Sequence, residues 1–239
     1  MTRWLTSSIL IIGACLMFAT TADAQFVQDF QLNLFGAVTA HTKNNFEIGF
    51  PQSITPVQGS FSLNESFRGG LRTNVFTRGH WGQEFFYSYE PNQVRLVRKT
   101  VPEATLRLDT QIHNLGINAL YYFRENSESR WRSFLTIGIG ATIYRPTEEA
   151  RQLARDPFRG NLPDLDSSRE FALNYGWGVT GQMSSTFGLR LDVRGFTSRN
   201  PSFGLARESD NPNATVLPAT GAIHTGELSM GVVFFFQRR

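Results

Sequence analysis

The chain has 239 residues, with 23 basic and 20 acidic side chains and a formal net charge of +3, a balance too mild and too evenly interspersed for a nucleic-acid-binding stripe. Mean hydropathy is slightly negative at −0.24, and beyond the N-terminal segment no stretch approaches the roughly 18 apolar residues that mark a membrane-crossing helix. A membrane β-barrel escapes that exclusion, because its strands alternate apolar and polar residues and dilute the hydropathy signal.

The first predicted element is an export signal. Arg3 and the amino terminus precede an apolar run from Ile9 to Ala19, too short for a spanning helix of about 20 residues. Ala22-x-Ala24 before Gln25 presents the small residues that signal peptidase reads. Residues 1–24 are therefore predicted to be a cleaved signal peptide, and residues 25–239 one domain. Ile12-Gly13-Ala14-Cys15 also resembles a lipobox, but Leu16-Met17-Phe18 carries the apolar run past Cys15. Cys15 is the only cysteine, so the mature chain has no disulfide or thiolate site.

From Phe30 the sequence alternates with period 2. Phe30, Leu32, Leu34, Gly36, Val38 and Ala40 share one face, against Gln31, Asn33, Thr39 and His41 on the other. The second strand, Phe67 to Thr77, sets Leu71 and Val75 against Arg68, Arg72 and Asn74. The third, Trp81 to Tyr89, sets Phe85, Tyr87 and Tyr89 against Glu84 and Ser88. The fourth, Leu106 to Phe123, ends with Leu115, Ile117, Ala119, Tyr121 and Phe123 opposite Asn114, Gly116 and Asn118. Its first half carries Arg107, Asp109 and Gln111 on the otherwise apolar face. Either a bulge shifts the phase there or that part projects beyond a bilayer. Trp131 to Tyr144, Glu170 to Met183, Phe187 to Thr197 and His224 to Phe236 complete the set.

Eight strands suit a closed up-and-down barrel. The predicted connections alternate long and short. The long ones are His41 to Ser66, Glu90 to Thr105, Arg145 to Arg169 and Ser198 to Ile223, all polar. The short ones follow Thr77, Phe123 and Met183. Short periplasmic turns and long external loops are the pattern of outer-membrane barrels. The expected fold is thus all-β: an eight-stranded antiparallel up-and-down transmembrane β-barrel, both ends periplasmic.

Alternation alone does not say which face is inside, and a soluble lipocalin-like carrier would bury the apolar one. The mixed face favours the membrane reading. It is rich in Gly, Asn, Thr and Ser, and it carries Arg72, Glu84, Arg190, Asp192, Arg194 and Glu227, a charge set able to pair inside a narrow lumen. Aromatic residues gather towards strand ends as interfacial girdles do. Because an eight-stranded barrel has room for little beyond its own side chains, these six charges are expected to form a paired plug rather than an ion path.

Four stretches carry a family resemblance: HNLGINALYYF at His113 to Phe123, FLTIGIGA at Phe134 to Ala141, FALNYGWGV at Phe171 to Val179 and GLRLDVR at Gly188 to Arg194. With the alternating loop lengths, the chain resembles the OmpA-like small outer-membrane β-barrels. The resemblance implies insertion by the barrel-assembly machinery, which reads a C-terminal strand ending in an aromatic residue. Leu228 to Phe236 fits, although Gln237-Arg238-Arg239 follows it. The peptidoglycan-binding domain of larger relatives has no counterpart here.

Little catalytic or metal chemistry is visible. His41, His80, His113 and His224 are scattered, without the spacing of metal ligands, and no cofactor is expected. A lipid A-modifying enzyme would need an activated nucleophile near the outer leaflet. A His224–Glu227 pair can be imagined, but no motif places a serine beside it, and rim histidines in water are the expected state of His41 and His224. Gly138-x-Gly140 and Gly176-x-Gly178 lie within strands, where they relieve crowding rather than bind phosphate. The sequons at Asn64 and Asn213 carry no meaning in a bacterial chain. The expectation is a non-catalytic, monomeric outer-membrane barrel whose loops meet the environment and whose partners are outer-membrane lipids and lipopolysaccharide.

Overall fold

The structure is a computed structural model that describes residues 29–48, 57–76, 79–98, 104–124, 129–155, 165–204 and 221–237. The predicted signal peptide with Cys15, and the Asn213 sequon, lie outside the described residues. The elements are β1 (Asp29–His41), β2 (Asn44–Ile48), β3 (Val57–Leu63), β4 (Ser66–Phe76), β5 (Trp81–Arg98), β6 (Ala104–Tyr122), β7 (Trp131–Pro146), α1 (Glu148–Arg155), β8 (Ser168–Gln182), β9 (Phe187–Arg199) and β10 (Ala222–Gln237).

Eight of these strands form a closed antiparallel barrel in the order β1, β4, β5, β6, β7, β8, β9, β10. The ring closes where β1 pairs with β10, from Asp29 opposite Gln237 to His41 opposite Thr225. The short turns lie at one end, here the turn end. Between β8 and β9, the Ser184 hydroxyl accepts from the Thr186 and Phe187 amides. Between β4 and β5, Gly79 has φ 86°, a left-handed conformation that glycine adopts without steric penalty. The β6–β7 connection follows Tyr122, which pairs with Phe134 at the same end, and the other connections leave from the opposite, loop end.

Side chains alternate across the wall as the sequence pattern predicts. Leu34, Val38, Phe85, Leu115, Ile137, Leu173, Leu191 and Met230 face outward, and Ile137 is 68% exposed. Asn33, Arg72, Glu84, Asn118, Asn174, Arg190 and Ser229 face inward and are buried. This polarity is the reverse of a lipocalin, whose apolar face lines the cavity. It is what a barrel needs when its outer wall meets hydrocarbon.

The loop end departs from the predicted loops. The stretch Glu90 to Thr105 is not a loop: β5 runs to Arg98 and β6 starts at Ala104, paired continuously from Trp81–Tyr121 to Arg98–Ala104. With 18 and 19 residues, these strands greatly exceed the roughly 9–11 that cross a bilayer, so the hairpin stands beyond the apolar belt. No bulge shifts the phase of β6. Thr105, Arg107 and Asp109 keep the outward parity of Leu115 and Ile117, while Leu108, Ile112, Asn114 and Asn118 point inward. What inverts is the chemistry of the two faces.

Pro91 sits inside β5 without breaking it. It lies between the part of β5 that pairs with β4, ending at Tyr89, and the part that pairs with β3, starting at Val94. Its carbonyl faces that gap and accepts from the Ser66 hydroxyl. A proline has no N–H to lose where no ladder bond is made.

The other predicted loops also hold ordered elements. The segment His41 to Ser66 contains the β2–β3 hairpin, whose β3 adds to β5. Arg145 to Arg169 contains α1, capped by the Thr147 hydroxyl on the Ala150 amide at 3.2 Å. Glu148 and Glu149 lie in its first turn and Arg155 in its last, matching the helix dipole. Ala150 and Ala154, one helical turn apart, are the buried positions of α1.

These elements close the loop end with an apolar core. Phe61, Leu63, Val94, Leu96, Leu108, Ile112, Tyr144, Ala150, Ala154, Leu165, Phe203 and Ile223 form one buried cluster. Phe203 is its pivot, with its ring against Phe61 and Tyr144, both at 6.3 Å between centroids. It holds φ at 51°, a conformation that a bulky residue keeps only when its surroundings impose it. At the turn end, Phe76, Leu120, Tyr122 and Phe134 form a second apolar cluster, with the Arg132 guanidinium 4.7 Å from the Tyr122 ring. Along its axis the barrel interior is thus apolar, polar and apolar.

Candidate functional site: the lumen charge network

The polar middle tier is built from side chains on opposite walls. Arg190, Asp192 and Arg194 occupy alternate positions of β9 and so share its inner face. Glu84 reaches them from β5, four strands away by either route round the barrel. Its carboxylate accepts from Arg194 Nη1 at 2.7 Å and from Arg190 Nη2 at 2.8 Å. Asp192 accepts from Arg190 Nε at 3.0 Å, Arg194 Nη2 at 3.0 Å and Arg72 Nη1 at 2.9 Å. Arg72, on β4, also donates to Glu227 Oε1 at 2.7 Å and Ser229 at 3.1 Å. All six charges singled out from the sequence therefore lie in one hydrogen-bonded cluster.

Three further residues extend it towards the loop end. Arg68 donates to Glu227 at 2.8 Å and, through Nη2 and Nε, to Glu90 at 2.7 and 3.0 Å. Glu90 is paired in turn with His41 Nε2 at 2.8 Å, while His41 Nδ1 meets the Thr225 hydroxyl at 2.9 Å. The sequence reading missed these three residues for identifiable reasons. Glu90 opens the predicted loop Glu90 to Thr105, although it continues the parity of Glu84 and Ser88. Arg68 is four residues from Arg72 on the same face. His41 has the parity of Asn33 and Thr39. It is not a rim histidine in water, since its side chain is 2% exposed.

Four guanidinium groups, Arg68, Arg72, Arg190 and Arg194, thus meet four carboxylates, Glu84, Glu90, Asp192 and Glu227. Removing such ions from water is expensive, and only close mutual pairing offsets it. Aromatic faces supply further support: the Arg72 guanidinium lies 3.6 Å from the centroid of Phe35, Arg190 4.4 Å from Phe134 and Arg68 5.0 Å from Phe196. One amide joins the network, with Asn118 donating to Glu84 at 2.7 Å. Space for these long side chains comes from glycine. A Cβ at Gly176 would stand 2.9 Å from Arg194 Cγ, and one at Gly178 would run into the Phe134 ring.

The imagined His224–Glu227 pair is not formed. Residues three apart on a strand face opposite ways: His224 points outward, in contact with Thr197 at 3.0 Å, and Glu227 points into the lumen. His80 bonds the Tyr122 carbonyl at 2.7 Å at the turn end, and His113 meets the Tyr87 hydroxyl at 2.9 Å on the outer wall. No two of the four histidines share a site.

No protein-family profile and no curated protein matches the chain. Solved structures do. The outer membrane protein OprG from Pseudomonas aeruginosa superposes with a TM-score of 0.55 at 11% identity, covering 89% of this chain and 98% of that one. Neisserial surface protein A superposes with a TM-score of 0.50 at 12% identity, covering 86% and 96%. At such identities the likeness is one of fold: this chain has the architecture of the small eight-stranded barrels found among outer-membrane proteins.

Proposed function

We propose that the protein is a non-catalytic outer-membrane β-barrel, of the OmpA-like kind, that holds a structured loop end at the cell surface above a closed lumen. The observation that carries this reading is the inside-out polarity of the wall. An apolar belt faces outward around a buried, mutually paired charge network, an arrangement unfavourable in water and favourable in a bilayer. The loop end then lies outside and the turn end faces the periplasm. Three tiers favour a plug over a channel: the loop-end core, the ion-pair tier and the aromatic cluster of Phe76, Tyr122 and Phe134. The surface role belongs to the loop end, because binding concentrates on segments displayed by a rigid scaffold. The four resembling stretches lie on β6 to β9, at corresponding depths of consecutive strands. That placement supports the family assignment.

Cell fractionation combined with migration on SDS gels before and after heating tests the reading. The expected result is recovery with outer membranes and a folded band that shifts on boiling. A soluble chain without the shift overturns it. Planar-bilayer recording of the reconstituted barrel is expected to show no sustained current, and a large steady conductance would overturn the closed-lumen part.

A further inference from the structure

The outward faces of β7, β8 and β9 end at the loop end in three arginines. Arg145, Arg169 and Arg199 all point outward and are exposed. They sit on consecutive strands in a diagonal register. Arg169 lies opposite Ile143, two residues from Arg145, and Arg199 follows the Ala172–Ser198 pair, two residues from the position facing Arg169. Diagonal neighbours of this kind are about 7–8 Å apart, a spacing that repels three like charges unless an anion lies between them. No carboxylate among the described residues forms an ion pair with any of the three.

Their height on the wall identifies what they meet. The next outward residues below Arg145 and Arg169 are Ile143 and Phe171, and Phe171 is 59% exposed. One such step is about 7 Å along a strand, so the guanidinium groups of Arg145 and Arg169 stand at the edge of the apolar belt, while Arg199, above Thr197 on its own strand, is level with Phe171 of β8. At the turn end the same three strands present exposed aromatic residues instead, Trp131, Trp177 and Phe187. Within β7, β8 and β9 themselves, the outward-facing arginines therefore lie only at the loop end. Guanidinium forks match phosphate oxygens in a bidentate manner, and basic groups at a bilayer surface attract phosphate-bearing lipids.

We propose that Arg145, Arg169 and Arg199 form a binding site for the phosphate groups of an outer-leaflet glycolipid whose acyl chains lie against the wall of β7 to β9. The inference rests on the membrane reading above. A soluble polyanion would instead favour the arginines of the projecting hairpin, Arg95 and Arg107, which face each other across β5 and β6 further from the belt.

The test uses the full barrel in phospholipid nanodiscs, with diphosphoryl lipid A as probe and monophosphoryl lipid A as comparison. Three proteins separate the cases: the wild type, the triple variant R145Q/R169Q/R199Q and the control R95Q/R107Q. All the substituted side chains are exposed, and heat-modifiable migration reports folding in each. The expected result is stronger binding of the diphosphoryl form by the wild type, weakened at least about tenfold in the triple variant and little changed in the control. Equal binding by wild type and triple variant overturns the proposal. So does an equal loss in the control, or capture of a sulfated polysaccharide in place of the lipid. A wild type that inserts and migrates as a folded barrel but shows no phosphate preference refutes this site alone. A wild type that fails to insert refutes the membrane reading, and this site with it.

Discussion

Arg194 and Glu84 stand on strands diametrically opposite in the barrel, β9 and β5, yet their guanidinium and carboxylate meet at 2.7 Å. This pair thus reaches across the full width of the lumen. Glu84 also holds Arg190 at 2.8 Å, so E84Q leaves two buried guanidinium groups short of a partner. The expected loss is about 3–5 kcal/mol of stability, the usual consequence of removing one member of a buried ion network. Replacing both partners with apolar residues, as in E84M/R194M, is expected to recover part of it. Urea unfolding in detergent micelles measures both, and an E84Q barrel as stable as wild type would show that the network contributes nothing.

The outer wall makes an opposite claim about solvent. Ile137 is 68% exposed near the middle of β7. If it faces lipid, I137R costs about 2–4 kcal/mol in a bilayer. In water the same change would be neutral or favourable. Refolding titrations into phosphatidylcholine vesicles distinguish the two.

Glycines on the two faces of the wall carry different burdens. Gly178 points inward against the Phe134 ring, whereas Gly36 points outward with nothing within 4 Å of its would-be Cβ. G178V is expected to abolish the heat-modifiable folded form, and G36A to leave it intact. Equal behaviour of the two would mean that the lumen is looser than its packing indicates.

The loop-end core should respond independently of the barrel. Phe203 is buried between Phe61 and Tyr144, and F203A removes about 3–5 kcal/mol of local packing. The expected outcome is faster proteolytic cleavage at the loop end with unchanged heat-modifiable migration of the protected barrel. Loss of the gel shift itself would show that the core is needed for barrel closure.

Much of the wall was legible in the sequence because a strand has a period of two. Once Leu34 or Ile139 is assigned to lipid, the facing of every other residue on that strand follows, and so do the inward positions of Arg72, Glu84, Arg190, Asp192, Arg194 and Glu227. The same rule could have separated His224 from Glu227 and joined Glu90 to Glu84. His224 and Glu227 lie within one predicted strand and need only the parity rule, whereas Glu90 stands at a boundary: Pro91 reads locally as a strand end, and its tolerance depends on which edge of β5 has no neighbour.

The sequence by itself determined the number of strands that cross, their alternation and the sign of the charges on the inner face, because these depend on residues near one another in the chain. Only the tertiary structure decided which charges meet, since Arg194 and Glu84 are 110 positions apart and their contact depends on closure of the ring. It also decided that the loop end is a packed core. The apolar residues there, Phe61, Val94, Leu108, Ala150 and Phe203, come from five separate segments, each too short or too polar to announce a core alone. Burying them together is what converts four polar-looking loops into a lid.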